Sequence, residues 1–290
     1  MKFGLHITNF DPAGGTSGLR KALKDVAQFT DENGFYSLSV MDHFFQVGMM
    51  GPPEMNMLEA YTTLSYCAAI TERIKLLAMV TGVVYRYPGI LGKTMNTLDV
   101  LAGGRTYLGI GAAWNEREAL GLGAPFPPLS ERFERLEETL QIIHQMWADD
   151  VKPYQGKHYQ LAEPLNHPLP VTKPHPPILI GGSGEKKTLR LVAQYADACN
   201  LFLNPDVEVM RHKVDVLKQH CQDVGRDFKD IEITGTGRIQ PGMSSSEIIA
   251  MCRLANTAGI QHAMFIVPDV YDLDYLGVLA KEVIPTIEAF

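Results

Sequence analysis

The chain has 290 residues, 46% hydrophobic and 20% charged, with a net charge of −7. That composition supports a large buried core, and α/β barrels reach this length as one domain. The acidic balance argues against non-specific nucleic-acid binding, which needs a basic face.

In chain order, short apolar runs alternate with longer amphipathic stretches. Lys2–Ile7 reads as a strand, Gly18–Asn33 as a helix and Ser37–Met41 as the second strand. Leu58–Ile70 is helical by its apolar spacing, and Ile74–Val80 is the third strand. Pro88–Leu101 is a helix with proline at its start, where a missing N–H is harmless. Thr106–Gly111 is the fourth strand, and Ser130–Trp147 a long helix opening on acidic residues that suit its dipole. The rhythm then breaks from Asp149 to Pro177, a proline-rich excursion with a hairpin-like turn at Tyr154-Gln155-Gly156-Lys157. It resumes with strands at Ile178–Ile180, Asp197–Phe202, Ile231–Thr236 and His262–Val267. Helices at Glu185–Tyr195, Asp206–Val224, Ser246–Ala258 and Leu273–Ala289 complete it.

Eight βα units point to an α/β fold, a single (β/α)8 TIM barrel over residues 1–290 with an insertion between strands four and five. The rival open sheet announces itself with Gly-x-Gly-x-x-Gly after strand one, and Leu5-His6-Ile7-Thr8-Asn9 has none. The start of the chain lacks the build of a signal peptide, and the longest apolar stretch, Leu76 to Val84, is too short to span a bilayer. Cys67, Cys199, Cys221 and Cys252 sit far apart without a CxxC pair, so they read as reduced thiols of a cytoplasmic protein. The histidines show no metal-ligand spacing, and no metal, membrane or nucleic-acid partner is expected.

In such a barrel the chemistry belongs to the loops leaving the strand C-termini. Asp42-His43 follows strand two and Thr81-Gly82 strand three; Gly109-x-Gly111-Ala112-Ala113-Trp114-Asn115 follows strand four, and Gly181-Gly182-Ser183-Gly184 strand five. The last loop can hold a phosphate on backbone N–H groups, or it is a plain turn with Ser183 as helix N-cap. Ala112 and Ala113 permit close approach of a flat ring with Trp114 as a wall, or simply pack strand four on its helix. His43 is an imidazole placed to contact a ring or exchange a proton, or a loop histidine beside a capping Asp42.

Together these residues resemble the bacterial luciferase-like superfamily, in its F420-dependent oxidoreductase branch. The matching runs are Met41–Phe45, Met57–Tyr61, Leu98–Arg105, Gly109–Glu116 and Pro177–Glu185. The resemblance implies a barrel with an open mouth, often dimeric, that transfers hydride between the deazaflavin coenzyme F420 and a small organic substrate. It places Asp42 and His43 beside the deazaflavin, with His43 the proton-transfer or ring-contacting group. It implies a non-proline cis peptide at Met79-Val80 behind the ring, followed by Thr81. It brings Gly111, Ala112, Ala113, Trp114 and Asn115 to the ring and side chain, and Gly181, Gly182, Ser183 and Gly184 to the phosphate. An FMN-dependent monooxygenase using O2 and a non-catalytic cofactor-binding barrel are the alternatives. Some sugar-phosphate-oxidising relatives carry a tryptophan after the Asp-His pair, where this chain has Gln46-Val47-Gly48-Met49. Some also carry a glutamate in the strand-four loop, where Trp114 stands and Glu116 follows. The loop Val47–Pro53, with its methionines and prolines, reads as an apolar substrate wall, or its flexible methionines simply fill gaps.

Overall fold

Along each strand, large apolar side chains alternate with small or polar ones, and a strand sends successive side chains to opposite faces. The computed structural model, which describes residues 1–290, sorts them accordingly. Phe3, Leu5 and Ile7 face outward into the main core, as do Leu38 and Val40, Leu108 and Ile110, Ile178 and Ile180. A separate small cluster of Leu77, Leu179, Ala198 and Met264 fills the lumen.

The elements run β1 (Lys2–Ile7), α1 (Gly15–Glu32), β2 (Ser37–Val40), α2 (Ala60–Ala69), β3 (Lys75–Ala78), β4 (Thr81–Gly82), α3 (Pro88–Leu101) and β5 (Thr106–Gly111). Then come α4 (Glu116–Gly121), α5 (Leu129–Trp147), β6 (Tyr154–Gln155), β7 (Gln160–Leu161), β8 (Ile178–Gly181) and α6 (Thr188–Tyr195). The chain closes with β9 (Ala198–Phe202), α7 (Val207–Val224), β10 (Glu232–Arg238), α8 (Ser245–Thr257), β11 (His262–Ile266), α9 (Leu273–Val278) and α10 (Ile284–Ile287). The main sheet runs β3-β2-β1-β11-β10-β9-β8-β5-β4, and pairing of β3 with β5 closes it. Every ladder in it is parallel, so the chain is the expected closed (β/α)8 barrel and not an open sheet.

Strand three is where the regular ladder gives way. Leu76 and Leu77 pair with Thr106 and Tyr107, and Thr81 and Gly82 pair with Ile110 and Gly111. Between them the Met79-Val80 peptide is cis, as the resemblance implied, so β3 and β4 are two pieces of one stave.

Several boundaries differ from the sequence reading. The helix expected from Glu185 starts at Thr188, with Lys187 at its N-cap, so Ser183 caps nothing. Residues 185–187 form a turn instead. The helix expected over Leu273–Ala289 is divided by a π-helical stretch at Leu279–Val283. The six-residue α4 was not foreseen, being too short for an apolar period to register.

The excursion after α5 contains the antiparallel pair β6–β7. It is fastened to α5 by Glu138, whose carboxylate accepts the N–H groups of Lys157, His158 and Tyr159. Its far end reaches α3, where the buried Asp99 carboxylate accepts from Thr172 N–H and from the hydroxyls of Thr172 and Thr106. All four cysteines are buried and free. Burial pushes the Cys67, Cys199 and Cys252 thiols up to about 12, so they are inert as nucleophiles. No helix is long and apolar enough to cross a membrane.

Candidate active site

The loops leaving β2, β5 and β8 and the cis peptide between β3 and β4 lie on neighbouring staves at the C-terminal end of the barrel. Their floor is apolar. Met79 and Val80 pack on the luminal cluster, and Val80 stands so close to β8 that a Cβ at Gly181 would lie 2.9 Å from both its γ-carbons. Only glycine tolerates that approach.

Asp42 is buried, and the structure gives it a partner that sequence reading missed. Its Oδ1 accepts from Arg86 Nη2 at 2.7 Å and its Oδ2 from Nε at 3.3 Å. The same guanidinium donates to Glu59 at 2.6 Å and lies 4.4 Å above the Tyr61 ring. Glu59 in turn caps α2 by accepting the N–H groups of Tyr61 and Thr62. Burial pushes the Asp42 carboxyl up from its ordinary value, against the opposing pull of Arg86. Asp42 makes no hydrogen bond to His43.

The partner of His43 is Glu118, on the unforeseen α4, at 2.7 Å from Nδ1. Glu118 is completely buried and accepts from a convergent set of donors: His43, the Phe44 and Phe45 amides, Asn115 Nδ2 at 2.9 Å and the Tyr85 hydroxyl at 3.3 Å. Burial alone would raise its pKa, but hydrogen bonds from His43 and the two amides hold it below the usual glutamate range. The carboxylate named from sequence, Glu116, is exposed at the start of α4 and makes no ion pair. The spacing Asn115-x-x-Glu118, a helix cap followed by an acid at N3, is the signal that could have marked this turn.

Trp114 is 60% exposed and lies 5.3 Å from the His43 ring between centroids, the two planes steeply inclined. Ala113 adopts a left-handed φ of 60°. Its carbonyl and that of Ala112 both accept from Arg132 on α5, a second cation the sequence reading missed. The Asn115 side chain is engaged in capping α4, and Thr81 is fully buried with its hydroxyl 2.6 Å from Tyr61. Neither side chain is free for a ligand.

At Gly181–Gly184 the backbone leaves β8 with Gly182 N–H on the Asn200 carbonyl at 3.2 Å. The amides of Ser183 and Gly184 have no protein acceptor. A Cβ at Gly184 would lie 2.9 Å from Thr188 Oγ1. Lys186 and Lys187 are exposed beside the loop without an ion pair. Across the lumen, Asn200 bonds Thr234 and Thr236, and His6 bonds Ser39 at 2.9 Å. Burial lowers the His6 pKa to about 4, so it is neutral. Phe202, the last residue of β9, is 69% exposed, and Met49, in the loop read as a substrate wall, is 81% exposed. Gln46, beside it, is buried and donates to the Thr8 carbonyl.

Comparison with known proteins bears on this arrangement. A family model described as luciferase-like monooxygenase matches residues 1–272. An F420-dependent glucose-6-phosphate dehydrogenase of Microbacterium testaceum is 31% identical over 214 residues, 72% of this chain and 61% of that protein. An FMNH2-dependent dimethylsulfone monooxygenase of Pseudomonas putida is 29% identical over 71% of the chain and 55% of its own length. The chain thus spans only about three fifths or less of the length of these curated relatives. Among solved structures, the coenzyme F420 dependent tetrahydromethanopterin reductase of Methanopyrus kandleri superposes with a TM-score of 0.80, at 16% identity and 99% coverage of both chains. By fold, motif order and family model, the chain belongs to the luciferase-like monooxygenase family.

Proposed function

We propose that the protein is an F420-dependent oxidoreductase acting on a small organic substrate. The observation that carries the reading is a set at one end of the barrel: the apolar floor at Val80, which stands against Gly181 of β8, the His43 imidazole on the loop after β2, and the acceptor-free amides of Ser183 and Gly184 after β8. The set fits a flat tricyclic ring tied through a side chain to a phosphate. When bound, the deazaflavin supplies a hydride carrier that needs no O2. The chain's part is to bind, orient and exclude water.

In this reading Val80 and Met79 support the ring from below. Gly111, Ala112 and Ala113 let the ring and its side chain approach the backbone, with Arg132 holding that loop from behind. Ser183 and Gly184 take the phosphate, and Gly181 and Gly182 give the turn its path. Asp42 does not touch the ring; with Arg86 and Glu59 it fixes the loop that presents His43. His43 Nε2 meets the reacting hydroxyl or carbonyl of the substrate. The exposed Met49, Trp114 and Phe202 fit an apolar substrate body better than a sugar phosphate. That the curated relatives include F420-dependent dehydrogenases supports the choice of coenzyme.

The second reading, an FMN-dependent monooxygenase, is favoured by the dimethylsulfone monooxygenase relative. Dependence on O2 separates the two. With a panel of alcohols and carbonyls, anaerobic absorbance changes of F420 are the expected result, and turnover only with reduced FMN and O2 overturns the reading. A second outcome is expected at the phosphate loop. Gly184→Val puts side-chain atoms against Thr188, so F420 affinity falls by roughly 10-fold or more, as loss of even one charge-assisted hydrogen bond would cause. Fluorescence titration of the folded variant checks it; unchanged affinity places the phosphate elsewhere.

A further inference from the structure

We propose that Glu118 is a positioning residue that fixes the tautomer of His43, keeping the proton on Nδ1 and the lone pair of Nε2 turned to the substrate. The inference rests on the proposed F420 reading for its kinetic consequence, but its structural content stands without it. An ionised carboxylate can only accept hydrogen bonds, so a neutral imidazole 2.7 Å away must present N–H from Nδ1. Glu118 is held in that state by every other group around it. Its Oε1 takes the Phe44 and Phe45 amides, and its Oε2 takes Asn115 Nδ2 and Tyr85 OH together with His43. No group reverses the arrangement: Asp42 is engaged by Arg86, and His6 on β1 faces Ser39. His43 Nε2 has no protein partner and is not enclosed, so it is the nitrogen available at the mouth.

If the oxidised deazaflavin is the hydride acceptor, oxidation of an alcohol would break its O–H bond with the proton moving to Nε2, form the C=O bond and release the C–H pair as the hydride that acceptor takes up. Carbonyl reduction is the reverse, with Nε2–H returning the proton. In both directions the imidazolium formed or consumed lies against a buried negative charge, the role an orienting carboxylate plays in hydrolase triads. Asp42, the neighbour singled out by sequence, does not serve here.

Glu118→Gln tests the assignment. The Phe44 and Phe45 amides are fixed donors and claim the glutamine carbonyl oxygen, so the amide NH2 faces His43 and must donate to Nδ1. The proton then moves to Nε2, and the nitrogen facing the substrate is no longer a base. Two-bond nitrogen–proton correlation NMR on protein carrying 15N-histidine reads the tautomer directly, with His43 assigned by its absence in His43→Gln. The expected result is Nδ1–H in the unaltered protein and Nε2–H in Glu118→Gln. With F420, turnover falls by about 10²–10⁴-fold while coenzyme affinity is unchanged. Nε2–H in the unaltered protein overturns the proposal, and that measurement needs no Glu118 variant to fold. So does a folded Glu118→Gln that keeps either the tautomer or its turnover. A protein with the expected tautomers that binds no F420 refutes the coenzyme reading and leaves this assignment standing.

Discussion

His43→Ala lowers turnover by about 10²–10⁴-fold, the range typical of losing a positioned acid or base, with little change in coenzyme affinity. The imidazole stands on the loop after β2, tied through Nδ1 to Glu118, and its Nε2 has no protein partner. A hydride cannot leave or reach an oxygen-bearing carbon productively unless a proton moves the other way, and imidazole titrates nearest neutral pH. Alanine removes that group but not the structure around it. Glu118 keeps the Phe44 and Phe45 amides, Asn115 and Tyr85, so its charge remains hydrogen-bonded and the loop remains tied to α4. The loss therefore falls on kcat and not on folding. A variant with near-native melting and near-full kcat would reduce His43 to a packing residue.

The second large effect is on stability. Arg86→Met leaves the Asp42 carboxylate buried, its side chain only 1% exposed, without its cation. Removing one partner of a buried ion pair typically costs about 3–5 kcal/mol, because the remaining charge is uncompensated. The methionine keeps the apolar stem over Tyr61 but none of the donors. Asp42 already sits above its ordinary value through burial, and losing Arg86 raises it further. A carboxyl whose pKa is higher in the folded than in the unfolded chain binds protons preferentially in the folded state. The deficit is therefore small below about pH 4, the value of a free aspartate, and grows as pH rises through the raised folded value. Urea denaturation of Arg86→Met at pH 4.5 and pH 7 should show the larger loss at pH 7. The double variant Asp42→Asn/Arg86→Met should recover much of it, since a neutral amide is far less costly to bury. An equal loss at both pH values, with no recovery in the double variant, would mean that Arg86 stabilises through packing alone.

These two sites show what a sequence makes legible. The barrel could be read because its signal is local: alternation along each strand, apolar spacing along each long helix, and turns between them. The glycine loop and the Asp42-His43 pair could be read because glycine and charged residues at strand ends are rare enough to mean something. Arg86, Glu118 and Arg132 could not, because what makes them important is tertiary. Glu118 meets a histidine 75 positions away, and Arg86 an aspartate 44 positions away. Until those pairs form, each is one charge among many on a helix or loop. A buried aspartate does demand a cation, so Asp42 told of a partner without naming it. Asp99 and Arg105, prominent in the family motifs, turn out to be structural. Asp99 ties α3 to the insertion, and Arg105 donates to the carbonyls of Ala68, Thr71 and Ile74. The shifted start of α6 has a local cause: Gly184 O accepts from Leu189 N–H, which leaves residues 185–187 as a turn before the helix proper.

The central claim is the identity of the coenzyme, and equilibrium titration of the purified protein with F420 and with FMN, each followed by its own fluorescence, tests it most directly. The expected result is saturable F420 binding that is tighter than FMN binding and is weakened by Gly184→Val. Micromolar FMN binding with no F420 binding would contradict it.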